Sequence, residues 1–184
     1  MWSLLYKGYA LDALQKREEA LACYREATAH EGGFAWAHMT LADLLAKQGS
    51  SEEAIQHYRA ALRLDPRDVR NYLNLAGLLR KRDDRKAEAL ELYQMAGAMD
   101  GKNLWTENVI GELLAEQGKL EPALVHYTRV TQLDPRFIWG HIRLAELLIR
   151  MGRAPDAAQQ YRQALKMDPA CGEAKEALKR MGLK

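Results

Sequence analysis

A 34-residue self-similarity constrains this chain more than any other feature. Shifting the sequence against itself by 34 positions lays Ala54 on Ala20, Tyr58 on Tyr24 and Ala61 on Ala27, and a period of that length marks a stacked array of small helical units. One such unit cannot bury its own apolar face, so its neighbours must supply the cover.

In register, the copies run over residues 1–34, 35–68, 69–103, 104–137 and 138–171, with a remnant at 172–184. A small residue at the eighth position of each copy (Gly8, Ala42, Ala76, Gly111, Ala145) and a leucine at the eleventh (Leu11, Leu45, Leu79, Leu114, Leu148) share one helical face. After a polar break comes alanine (Ala20, Ala54, Ala89, Ala123, Ala157), then tyrosine four residues on (Tyr24, Tyr58, Tyr93, Tyr127, Tyr161). A small residue follows three later (Ala27, Ala61, Ala96, Val130, Ala164), tracing a second helical face.

This pattern resembles the tetratricopeptide repeat family, whose unit is two antiparallel helices with small residues where they cross. The resemblance covers residues 1–171, with a single inserted residue in the loop KRDDRKAEA of the third copy. It implies an all-α, right-handed α-solenoid of five tandem helix-turn-helix repeats. The remnant reads as a C-terminal capping helix that docks through Ala174 and Leu178. The family's closing proline is present as Pro66, Pro135 and Pro169, while Gly32 and Gly101 stand in its place in the first and third copies; either residue type stops a helix.

Charge narrows the function classes. Lysine and arginine total 27 against 25 acidic residues, without the concentrated positive face of a nucleic-acid binder. The start MWSLLYKGYALD reaches Lys7 before a signal peptide's apolar segment could form. A soluble, cytoplasmic chain without membrane insertion is expected. Cys23 and Cys171 lie in the first and last repeats, four steps of ~10 Å apart if helices pack at 8–10 Å, too far for a disulfide, which needs Cα atoms within roughly 7 Å. No HExxH, CxxC, GxGxxG or GxxxxGK[ST] motif appears, so no cofactor, metal or enzymatic activity is expected. His38 and His141 share one repeat position and His57 and His126 another, so the repeat itself accounts for them.

Three local readings follow. Ser50, Ser51, Glu52 and Glu53 have the form of a capping box. The charged residues 82–86 read as a solvated loop. Trp2, Leu4, Leu5 and Tyr6 put apolar side chains at the N-terminal end, a surface expected to support self-association.

In the family, the second, fifth, sixth, ninth, twelfth and thirteenth positions of the first helix reach ligands in a concave groove. The resemblance therefore implies a groove carrying Trp2, Tyr9, Trp36, Asp43, Arg70, Asn74, Arg80, Lys81, Trp105, Asn108, Glu112, Trp139 and Arg143. All four tryptophans fall at the second position, where the third copy has Arg70. Two readings of them stand: packing in the joins as core, or an aromatic row along one lip of the groove with Arg70 as its cation. The expected function is a scaffold that binds a peptide or helix of another protein, with an acidic group meeting Arg70. The alternatives are a polysaccharide-binding module, since flat rings stack on sugars, and a non-catalytic segment of a larger assembly.

Overall fold

The computed structural model describes residues 2–29 and 34–183, all helices, turns and loops, with no strand among them. The chain divides into two compact units, Met1–Met99 and Asp100–Lys184. The first contains α1 (Trp2–Ala13), α2 (Arg17–Ala29), α3 (Ala35–Lys47), α4 (Ser51–Leu64), α5 (Val69–Leu79), a 3₁₀ turn (Asp83–Arg85) and α6 (Lys86–Met99). The second contains α7 (Leu104–Glu116), α8 (Leu120–Leu133), α9 (Ile138–Arg150), α10 (Ala154–Met167) and α11 (Gly172–Arg180). None of these helices is long and apolar enough to cross a membrane.

Successive helices pack as antiparallel pairs, and the packing explains the repeat. The second helix of each pair buries its alanine, its tyrosine and its closing small residue, as with Ala54, Tyr58 and Ala61 in α4 and Ala157, Tyr161 and Ala164 in α10. Burying one such aromatic side chain contributes on the order of 2 kcal/mol. The ring needs room on the first helix, which is why the eighth position is small. A Cβ at Gly8 would stand 2.5 Å from the Tyr24 ring, and one at Gly111 would stand 2.9 Å from Tyr127.

Turn chemistry closes the helices. Gly49, at φ +87°, ends α3 in the left-handed region open to glycine. Gln15 occupies that region after α1 with φ 62°, a strained choice for a residue with a Cβ. At the joins between pairs, the Asp65, Asp134 and Asp168 carboxylates accept hydrogen bonds from the backbone N–H two residues on. Asp100 does the same before Gly101, from Lys102 at 3.3 Å, so the missing proline leaves this turn in place. Gly32, the other substituted join, lies outside the described residues.

Three expectations are corrected. Ser50 precedes α4 without a side-chain capping bond. The carboxylates that would complete a capping box serve other partners: Glu53 accepts from Arg25 on α2, and Glu52 pairs with Arg82 and Arg85. Residues 82–86 are accordingly bound rather than merely solvated. Arg85 reaches Glu88 at 3.0 Å, Lys86 reaches Asp83 at 3.0 Å, and Arg59 on α4 also grips Glu88. The two arginines beside Glu88, against the opposing cost of its burial, hold its carboxyl below the usual range. Finally, Leu5 is fully buried in the core of the first unit, so the exposed N-terminal patch consists of Trp2 and Tyr6, with Leu4 half-buried. Elsewhere Cys23 and Cys171 are buried free thiols, and Ala174 and Leu178 form the buried side of α11.

Candidate functional site

In the first unit, the outward side of the first helices gathers aromatic rings. Trp2 is 53% exposed, Tyr6 and Tyr9 are more so, and Trp36 lies half-buried against the core. Their rings form one cluster: Trp2 lies 5.9 Å from Trp36 and 5.3 Å from Phe34, and Tyr9 lies 6.5 Å from Trp36 with planes only 17° apart. Trp36 seals the core with one side, and Trp2 carries the cluster into solvent.

Two turns beyond Trp36 on α3, Asp43 is set by two donors. The Tyr58 hydroxyl, coming through from α4, donates to its Oδ1, and the Asn74 amide of α5 donates to the same oxygen at 3.0 Å. Burial first, and then the adjoining Asp43 carboxylate, push the Tyr58 phenol well above its ordinary value. It therefore stays a donor across the working pH range.

Arg70 departs from the expected open cation. Its Nε and Nη2 donate to the two oxygens of Asp68 at 3.0 and 2.8 Å, and Asp68 also accepts from the Arg70 backbone N–H as the cap of α5. Its hydrogen bonds from Arg70 draw the Asp68 carboxyl below its usual range. Arg80 caps the C-terminal end of α5, and Lys81 beside it is exposed.

In the second unit, Trp105 and Trp139 are each 50% exposed. Glu112 and Arg143 line a groove of about 470 Å³ together with Tyr127, Glu146, Ile149 and Tyr161. Arg143 pairs with Glu146 at 3.0 Å, and Arg150 closes one end by donating to the Ala115 carbonyl at 2.7 Å. Burial, then the Glu112 charge, push the Tyr127 hydroxyl up to about 12. Asn108 lies deeper than the groove reading supposes, with its Oδ1 buried and without a hydrogen-bond partner.

The tyrosine tips were missed in the sequence, although three of the five lie 15 residues after a ninth-position acid: Tyr58 after Asp43, Tyr127 after Glu112 and Tyr161 after Glu146. A second regularity, 19 residues long, was also missed. The fourth residue of a first helix meets a residue of its partner helix in three pairs. His38 Nδ1 lies 2.9 Å from His57 Nδ1, Glu107 Oε2 lies 2.7 Å from His126 Nδ1, and His141 Nδ1 lies 2.8 Å from Gln160 Oε1. His38 and His57, at two different positions of one repeat, are thus brought together across the helix pair.

Models of the tetratricopeptide repeat match residues 5–69 and 39–102, and a second such model matches 114–181. No curated protein matches the chain by sequence. Among solved structures, YrrB, described as "a TPR protein with an unusual peptide-binding site", superposes with TM-score 0.82 at 22% identity, over 96% of this chain and 90% of that one. MamA superposes with TM-score 0.79 at 17% identity, over 88% and 94%. A MamA fragment from Desulfovibrio magneticus RS-1 gives 0.77 at 18%, over 92% and 95%. At these identities the likeness is one of fold.

Proposed function

Because the chain belongs to the tetratricopeptide repeat family, we propose that it is a non-catalytic protein-interaction scaffold that binds a peptide or helix of a partner on the exposed sides of its first helices. The repeats are taken as residues 1–34, 35–68, 69–103, 104–137 and 138–171, capped by 172–184. The observation that carries this reading is the solvent-facing cluster of Trp2, Tyr9 and Trp36 beside an oriented carboxylate, Asp43. Tryptophan and tyrosine anchor interfaces because they bury much area with few rotors. Asp43, with one oxygen already satisfied twice over, offers the other to a donor on the ligand. The ligand is therefore a segment with apolar side chains against Trp36 and Tyr9 and an N–H or cationic group against Asp43. An acidic group at Arg70 would have to displace Asp68, which moves the expected anchor from Arg70 to Asp43.

The near-parallel rings of exposed Tyr9 and half-buried Trp36 also favour a second reading, stacking on the apolar face of a sugar ring. A single array carrying both peptides and glycans separates the two. The first reading expects peptide spots that vanish with Trp36→Ala; binding confined to glycans overturns it. The Trp2 and Tyr6 surface is also the place where copies of the chain would associate. Sedimentation of Trp2→Ser against the native chain tests this, and a strict monomer at high concentration rejects it.

A further inference from the structure

The His38–His57 pair has a geometry with one purpose. The ring centroids lie 5.2 Å apart, which is the 2.9 Å nitrogen–nitrogen distance with one ring radius added at each end, and the planes are only 29° apart. The two Nδ1 atoms therefore point straight at one another. A metal would need the lone pairs to converge at ~2.0–2.1 Å from each nitrogen, which this head-on arrangement excludes. It suits one proton, held in an N–H···N bond. A first added proton goes to the bare outer Nε2 of the donating ring and leaves the bond intact; a second must go to the accepting Nδ1 and forces two N–H groups against each other.

We propose that the α3–α4 seam is an acid-sensitive catch, closed while the His38–His57 pair shares a single Nδ1 proton and opened when both inward nitrogens must carry one. The catch bears on the surface of the first unit because Asp43 is on α3 and the Tyr58 hydroxyl that sets it is on α4. Opening the seam releases Asp43 from that donor.

Among the described residues one counter-charge, Glu53, acts on His57, and none acts on His38. Arg63 on α4 acts against charge on His38, and Arg25 on α2 acts against charge on His57. Glu53 on α4 acts the other way, but it is engaged by Arg25 at 3.0 Å. Burial is the largest influence on both rings and lowers the affinity of each for a proton. The sign follows: folded-state values below the ordinary 6.5 mean that the seam is fully stable above about that pH and loses stability as pH falls below it.

The test is amide hydrogen exchange on the full chain between pH 7.5 and 5.0, corrected for the chemical exchange rate. The α3 and α4 opening equilibrium should rise by up to ~10-fold per pH unit for each proton the open state holds beyond the closed one. Helices α9 and α10, where His141 meets Gln160, should change far less. His57→Gln imports that pairing and should cut the α3–α4 dependence to at most the one-proton slope of the remaining His38. A flat α3–α4 profile in the native chain, or a slope undiminished in His57→Gln, overturns the proposal. Should the variant misfold, ¹⁵N spectra of the native imidazoles decide instead. One protonated and one bare Nδ1 at neutral pH supports the catch, and two independent, ordinary titrations overturn it.

Discussion

At the same two repeat positions, α3 and α4 set one imidazole against another, whereas α7 and α8 set a carboxylate against an imidazole. The backbone arrangement is shared, since each pair spans 19 residues and closes to under 3 Å. The chemistry is opposed. Added protons turn the His38–His57 contact into a repulsion, while a proton on His126 meets Glu107, which is only 2% exposed and is also gripped by Arg129 at 3.3 Å. A helix pair thus fixes where two side chains meet and leaves their response to pH free to differ from one pair to the next.

The comparison can be broken most severely at Glu107. Glu107→Ala strips His126 and Arg129 of a buried partner and should cost ~2 kcal/mol, the order expected for a hydrogen bond to a charged group. Thermal unfolding at neutral pH reads this loss.

Next in size is a matched pair of glycine substitutions. Gly8→Ala drives a Cβ into the Tyr24 ring, an overpacking cost of ~1–3 kcal/mol, offset by a gain of ~1 kcal/mol in helix propensity. Gly111→Ala, with slightly more room against Tyr127, should cost less. Equal losses in denaturant midpoint would show that the two crossings are packed alike.

Tyr58→Phe removes the hydroxyl that sets Asp43 and should cost ~1 kcal/mol, with α3 and α4 the first helices to gain exchange. The smallest effect has the opposite sign. Gln15→Gly relieves a left-handed residue at a strain of ~1–2 kcal/mol but adds unfolded-chain entropy of ~0.5–1 kcal/mol, leaving a gain of about 0.5 kcal/mol on balance.

These effects also mark where sequence reading succeeds. Small residues at the eighth position and tyrosines on the second helices report packing that every copy needs, so the repeat made the helix pairs legible. The aromatic positions were legible too, because Trp2 and Trp36 recur at a fixed place. What could not be read was pairing across a helix pair when one member changes identity from copy to copy. His38 with His57 and Glu107 with His126 share the second-helix histidine and the spacing, but not the first-helix partner. The ion pair of Arg70 was hidden for a related reason. Its partner, Asp68, belongs by sequence to the turn before α5, and only the turn's geometry shows that cap and guanidinium meet. The capping box at Ser50 failed because Glu52 and Glu53 find arginines on neighbouring elements, a tertiary preference invisible to a local motif.

The central claim, that the first helices of the pairs carry the binding surface, is tested most directly by one affinity comparison. A peptide selected on the array is titrated against Trp36→Ala and Tyr9→Ala, and against Met95→Ser and Val125→Ser, which alter exposed apolar residues of second helices. The account predicts a loss of ~30-fold for the first two, matching a hot-spot margin of ~2 kcal/mol, and unchanged affinity for the others. Affinity lost through Met95 or Val125 and retained by Trp36→Ala and Tyr9→Ala would contradict it.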